Sequence, residues 1–227
     1  MTVSAATRTS CLVMASLVSL GCASWTAQFD SEKLAAERER YGATADQRIA
    51  DLSKEAGQAR KADGGTQVAF TRKLTAALLD EHDPRVRAVI IEVAADFDTP
   101  AAVAICRGGL EDPDPAVRIT ACEAWRKRGG PEAASLLAAR FNADDDIDVR
   151  LTALREIGDL GDEAAVPTLA RALEDPDPAV QYRAVAALRE ISGRDLGNDV
   201  NAWRAWAADP EAEGTEWTIA EGFRQLF

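Results

Sequence analysis

The sequence predicts an all-α protein, an α–α superhelix of about four stacked helical hairpins with capping helices at both ends. Three observations predict it. A short acidic motif recurs with its valine at positions 86, 117, 149 and 180. From each valine, apolar or small residues follow at helical spacing. The composition, 47% hydrophobic but only 6% aromatic, suits close-packed helices better than sheets.

The first 21 residues are predicted to be an export signal. Arg8 is the only charged residue before a mostly apolar stretch, Cys11 to Gly21, which is too short to span a bilayer. The stretch ends in Val18-Ser19-Leu20-Gly21-Cys22, which resembles the lipobox of bacterial lipoproteins. The resemblance implies cleavage before Cys22 and a lipid on that cysteine. The alternative is an ordinary secretory signal in which Cys22 has no special role.

Residues 22–43 are polar and charged, and we interpret them as a tether that is partly helical from Ser31 onwards. No later stretch is long and apolar enough for a transmembrane helix, so the lipid would be the only membrane anchor. Ala23 and Ser24 follow the cysteine, as in lipoproteins sorted to the outer membrane. This resemblance implies the periplasmic side of the outer membrane, rather than the inner membrane, in a host that has both.

Residues 44–208 are predicted to hold the hairpins and their caps. The start of each second helix follows from local chemistry, because aspartate is a favoured N-cap and proline fits the first helical position. Ile147 replaces the proline once. The four motifs are Asp83–Arg87, Asp114–Arg118, Asp146–Arg150 and Asp177–Gln181.

The other helices follow from apolar periodicity. First helices are expected over 68–79, 101–110, 132–141 and 163–173. In the second helices, the positions four and eight after each valine are expected to face the core. These positions hold Ile90, Ala94, Ala121, Trp125, Ala153, Ile157, Ala184 and Leu188. A degenerate helix over 45–61 and a closing element with Trp203 and Trp206 would cap the ends, since a stack needs terminal caps.

Two segments carry a family resemblance. Glu174-Asp175-Pro176-Asp177-Pro178-Ala179-Val180 and Gly161-Asp162-Glu163-Ala164-Ala165-Val166-Pro167-Thr168-Leu169 resemble the HEAT-like repeats of phycobilisome lyases. The resemblance covers about residues 66–191. It implies a solenoid fold, but such repeats serve many unrelated tasks, so it does not by itself imply a function.

The sequence offers no catalytic constellation, and we expect neither an enzyme nor a bound cofactor. His82 is the only histidine, which excludes a multi-histidine zinc site, and it is expected in a solvated turn. Asp144-Asp145-Asp146 lacks the twelve-residue calcium-loop pattern and is expected to be a solvated turn rather than a metal site. A net charge of −12 argues against a nucleic-acid partner.

Three arginines recur directly after the motif valine: Arg87, Arg118 and Arg150. We predict that they form a structural ladder with aspartates of neighbouring turns rather than a ligand site. Gln181 breaks the series in the last hairpin, where a cap replaces a neighbour.

The candidate binding residues lie two, six and nine positions after the valines, away from the core face of the second helices. They would line the inner curve of a solenoid; the alternative is that they pack between adjacent helices. The candidates are Ile119, Glu123, Arg126, Leu151, Arg155, Tyr182 and Arg189, and Gly158 and Ala186 occupy the remaining positions of the pattern.

Cys106 and Cys122 are expected on the two helices of one hairpin. Helix axes in contact lie about 8–10 Å apart, whereas a disulfide needs Cα atoms within about 7 Å, so two buried thiols are favoured over a bridge. The tail, 209–227, ends with Trp217, Ile219, Phe223, Leu226 and Phe227 in a roughly helical rhythm. Docking on the array and docking on another protein both remain open.

These observations favour a membrane-tethered module of the bacterial cell envelope that binds or scaffolds a protein or peptide. Two other functions remain open at this point. One is a chromophore-lyase-like enzyme or helper, which only the repeat resemblance suggests. The other is a purely structural envelope spacer with no discrete ligand.

Overall fold

A computed structural model describes residues 33–36, 38–40 and 42–210. The predicted signal peptide, Cys22, residues 22–32 of the tether and residues 211–227 of the tail lie outside the described residues. The chain divides into two compact units, residues 1–51 and 52–227, which are described separately. In the first unit, residues 33–36 and 38–40 are helical, and Arg38 pairs with Asp51 at 2.6 Å.

The second unit contains the four predicted hairpins. Hairpin 1 comprises α2 Gly64–Asp80 and α3 Pro84–Ala94, hairpin 2 α4 Pro100–Gly109 and α5 Pro115–Arg128, hairpin 3 α6 Ala133–Ala143 and α7 Ile147–Leu160, and hairpin 4 α8 Val166–Ala172 and α9 Pro178–Ser192. Helix α1, Ala45–Ala59, precedes them across the boundary of the two units, and α10, Val200–Ala208, follows them. No strand occurs in the described ranges, and the prediction of an all-α solenoid is confirmed.

The second helices begin where the motif predicts. The N-cap aspartates are Asp83, Asp114, Asp146 and Asp177. Each has an extended backbone, and its carboxylate accepts a backbone N–H two residues later at 2.8–2.9 Å. Proline follows the aspartate in hairpins 1, 2 and 4. In hairpin 3, which has Ile147 instead, Asp146 also accepts the N–H of Val149. The cap satisfies donors that the first helical turn leaves without partners.

The first helices begin less uniformly than predicted. Helix α2 starts at Gly64 rather than Val68, because Asp63 caps it by accepting the N–H of Thr66 at 2.9 Å. Helix α8 starts at Val166, after a 3₁₀ turn over Glu163–Ala165, although a continuous helix over 163–173 was expected. These helices lack the shared Asp-Pro motif, so apolar periodicity alone did not predict their first residues.

The second helices stack directly on one another, in the order α3, α5, α7 and α9. All eight side chains predicted at offsets four and eight are buried. Helices α7 and α9 approach each other closely, because a Cβ on Gly158 would lie 2.8 Å from Cα of Ala187. Gly158 therefore packs between adjacent helices, which is the alternative given for this set of positions, because only a residue without a side chain allows this separation.

The recurring arginines bridge successive hairpins. Arg87 donates to both carboxylate oxygens of Asp112 at 2.8 and 2.7 Å, and Arg118 does the same to Asp144 at 2.8 and 2.9 Å. Arg150 donates to Asp175, and its guanidinium lies 4.9 Å from the ring centroid of Phe141. Gln181 donates instead to the Asp175 carbonyl, within its own turn.

The three acceptor aspartates, Asp112, Asp144 and Asp175, also organise their own turns. Each accepts the backbone N–H of the N-cap residue two positions later at 2.9 Å. Burial raises the pKa of each carboxyl, but the hydrogen bonds from the arginine and from the backbone outweigh it, so each pKa lies below 3.8. The prediction of a solvated turn at 144–146 is wrong for Asp144, because its side chain is only 1% exposed.

Cys106 and Cys122 are buried free thiols, in agreement with the prediction from helix spacing. Burial raises the pKa of Cys106 to about 11 and that of Cys122 to about 12. Neither thiol is activated towards exchange at neutral pH, because the thiolate is the reactive form. They act as small core residues.

The closing element covers the last hairpin. Trp203 in α10 is fully buried, and its Nε1 donates to the Gly197 carbonyl at 2.9 Å. Arg204 donates to the carbonyl of Leu173, the C-cap of α8, at 2.6 Å. Helix α10 therefore acts as a cap on hairpin 4, and its Arg204 supplies a donor to a carbonyl at the C-terminal end of α8. Among the helices that the structure describes, none has the length and apolar character that a membrane crossing requires.

Candidate protein-binding face

The candidate residues lie on the solvent side of the second helices, but they are not equally accessible. Tyr182 is 61% exposed, whereas Ile119 and Leu151 are half-buried. Arg189 donates to the Gly197 carbonyl at 2.9 Å and is engaged in the closing turn. Measured over whole residues, Glu123, Arg126 and Tyr182 are the exposed members of the candidate set, and Arg155 is half-buried.

Three candidates meet in one groove of about 540 Å³ across α3, α5 and α7, which we call the charged groove. Glu123 and Arg126 enter it from α5, and Arg155 enters from α7. Arg155 Nη2 lies 3.0 Å from Glu123 Oε1, so the two side chains join hairpins 2 and 3. The groove is also lined by Glu92, Ala95, Thr120, Ala124, Lys127, Glu156 and Asp159. Ile119, Leu151, Tyr182 and Arg189 do not line it.

The floor of the charged groove is a buried carboxylate. The side chain of Glu156 is 2% exposed. Arg155 Nε donates to its Oε1 at 2.7 Å, and Arg126 Nε lies 2.6 Å from its Oε2 without the alignment of a hydrogen bond. The hydrogen bond to Glu156 is the main reason that the pKa of Arg155 is raised. One buried anion thus holds two arginines that remain 44% and 42% exposed.

Glu156 breaks the repeat pattern. It lies seven residues after its valine, where the other hairpins have Val93, Ala124 and Ala187, all buried. Glu156 was not among the residues predicted from the sequence, although an alignment of the four repeats at this offset shows one acid among apolar residues. Burying a carboxylate costs stability unless partners compensate. An ionic group at a core position is therefore a candidate for function rather than packing.

The arrangement suits recognition of a charged polypeptide segment. Each guanidinium has five N–H donors, of which the contacts to Glu156 and Glu123 use only some, so Arg126 and Arg155 can also donate to a partner's carboxylates or carbonyls. Glu123 and Asp159, each 48% exposed, can accept from lysine or arginine. A groove of this size with few apolar walls favours a polar segment over an apolar ligand.

The other residues singled out from the sequence lie apart from this groove. His82 is exposed in the turn before α3, and its Nδ1 is 2.9 Å from the Asp80 carbonyl. Within residues 33–36, 38–40 and 42–210, no histidine, cysteine, aspartate or glutamate side chains form a cluster of three suited to a metal ion.

Comparison with known families agrees with this architecture. The family model for HEAT repeats matches residues 71–150 and again 139–210, which together span more than half of the chain. A search of curated proteins found no match. HEAT repeats commonly mediate protein–protein interactions, and membership suggests an interaction or scaffold role. The chain belongs to the family of HEAT-repeat proteins.

Proposed function

We propose that this protein is a membrane-tethered interaction module of the bacterial cell envelope, which binds a protein or peptide through the charged groove and catalyses no reaction. The observation that carries the proposal is Glu156, a buried carboxylate where the other hairpins have an apolar residue. A stack needs only apolar residues there, so the ion cluster adds nothing that packing requires. It does fix the directions of Arg126 and Arg155 at the surface, and preorganised donors increase affinity.

Substitution Glu156→Ala separates binding from stability. Alanine already occupies this position in hairpins 2 and 4, and the two arginines have exposed surface to solvate them, so we expect the urea midpoint to change little or to rise. Binding to the partner should weaken at least tenfold, because the arginines lose their common anchor. Pull-down from detergent-solubilised membranes with residues 43–227 measures the captured partner, and circular dichroism measures stability.

Glu132→Ala is the matched control, since Glu132 also pairs with an arginine, Arg107, but both side chains are exposed and outside the groove. It should leave partner capture unchanged. Equal capture by wild type and Glu156→Ala would refute the charged groove as the binding site.

The membrane anchor is a separate part of the proposal, and it is supported by the lipobox-like sequence that ends in Cys22. Export would place the solenoid beyond the cytoplasmic membrane, on the periplasmic side of the outer membrane in a host that has one. Cys22→Ala should give an uncleaved or soluble protein, whereas the wild type should fractionate with membranes and carry added lipid mass. Mass spectrometry of the mature wild type tests this, and an unmodified Cys22 would contradict lipidation.

A further inference from the structure

The ion pairs inside the charged groove leave carboxylates in excess over cations. Two arginines and three acids of the lining contact one another, and they are Arg126, Arg155, Glu123, Glu156 and Asp159. The remaining cation of the lining, Lys127, pairs with Asp96, which lies outside the lining. Each cation of the groove thus already has an anionic partner, whereas two arginines cannot neutralise three carboxylates.

Two exposed acids, one on each outer wall, remain accessible to a partner. Glu92 in α3 lines the groove and forms no ion pair with any residue that the structure describes. Asp159 in α7 is 48% exposed, and its carboxylate lies 3.9 Å from Arg126 Nε, beyond hydrogen-bond distance. A cation that approaches from outside can therefore contact either carboxylate without displacing a close donor.

The charge of the whole chain acts in the same direction. Its formal net charge is −12. Such a surface attracts basic segments and repels acidic ones over roughly the Debye length, which is about 10 Å at 0.1 M salt. An acidic segment would meet repulsion both from the chain and from the two outer acids, although the arginines could hydrogen-bond to it.

We propose that the charged groove recognises an extended basic segment, with a lysine or arginine at each end of a stretch of about six residues. The inference rests on the proposed binding function. The second helices stack in the order α3, α5 and α7, and adjacent axes lie about 8–10 Å apart, so Glu92 and Asp159 are separated by about 16–20 Å across α5. An extended chain covers about 3.3 Å per residue, so about six residues bridge them. Between the two basic ends, Arg126 and Arg155 donate to backbone carbonyls of the segment.

Fluorescence anisotropy with the full chain, purified in detergent, tests this class of partner. The probes are fluorescein-labelled octalysine and octaglutamate, each long enough to cross α5. Octalysine is expected to bind at least tenfold more tightly than octaglutamate. Combining Glu92→Gln with Asp159→Asn should weaken octalysine binding at least fivefold, because both end contacts are lost. Circular dichroism should stay unchanged, since both side chains are exposed.

Asp80→Asn combined with Glu163→Gln is the matched control, because it removes the same two charges from exposed positions outside the groove. It should weaken octalysine binding less than twofold. Equal weakening by the two pairs would overturn the proposal, since octalysine would then respond only to the total charge of the chain.

Two further outcomes would also overturn it. Octaglutamate that binds as tightly as octalysine, or more tightly, would assign the groove to an acidic segment, and no binding of octalysine would exclude a basic one. Both outcomes differ from a failure of the proposed function. That failure would appear as equal capture of the partner by the wild type and Glu156→Ala.

Discussion

Replacing Leu169 with alanine is expected to lower the free energy of unfolding by about 2–5 kcal/mol. Leu169 is fully buried in α8, the first helix of hairpin 4. Truncation removes buried methyl groups and leaves a cavity between α8 and the helices packed against it. Helix α8 is only 7 residues long, so few of its side chains can move to fill that cavity. Urea denaturation of residues 43–227, followed by circular dichroism, gives the value.

Leu79→Ala is the control for that measurement. Leu79 is also helical but 81% exposed, so its truncation should change stability by less than about 0.5 kcal/mol. The stacked-hairpin account requires a clear difference between the two variants. Equal effects would show that Leu169 does not lie in a packed core.

Arg118→Met is expected to lower the free energy of unfolding by about 2–4 kcal/mol, as measured by urea denaturation. It removes two hydrogen bonds from a carboxylate, Asp144, whose side chain is 1% exposed, and leaves Arg140 as the remaining cation beside it. Removing Arg118 destabilises the fold because the Asp144 carboxylate stays buried with fewer hydrogen bonds. Arg140, which remains beside it, reduces the loss of stability. Arg107→Met is the control, since both members of its pair with Glu132 are exposed and it should cost about 0–1 kcal/mol.

The cost of Arg118→Met should depend on pH. In the wild type the pKa of Asp144 lies below 3.8, so its stabilising contribution is complete above about pH 4 and is lost as the pH falls through the folded-state pKa. Without Arg118 the carboxyl accepts a proton more readily, which relieves the buried charge. The difference in free energy of unfolding between the wild type and Arg118→Met should therefore become smaller below about pH 4. A constant difference between pH 7 and pH 3 would contradict this origin.

The sequence predicted the elements whose causes are local. Asp114 caps α5 and Val117 faces the core because a cap and an apolar period act within one helical turn. First helices were less predictable, since the cap of α2, Asp63, precedes two glycines rather than a proline. Periodicity did not decide between a solvent-facing Gly158 and one packed between helices, because its environment is set by Ala187 on another hairpin.

The candidate site was predicted only in part, for a related reason. Glu123, Arg126 and Arg155 were identified from their offsets, and the structure brings them together in the charged groove. Glu156 was missed because its offset belongs to the core face, where an acid is not expected. The ladder was anticipated from Arg87, Arg118 and Arg150, but their acceptors lie in the next hairpin and are assigned only by tertiary contacts.

Site-specific crosslinking in native membranes tests the central claim most directly. Photo-reactive residues would replace Glu123 and Tyr182 on the second helices and, as a control, Arg72, which is exposed on the first helix of hairpin 1. If the second-helix surface binds a partner, position 123 in the charged groove should give a discrete protein adduct that Glu156→Ala removes, and position 72 should give none. Identical adducts from positions 123 and 72, or none from position 123, would contradict a binding function for this surface.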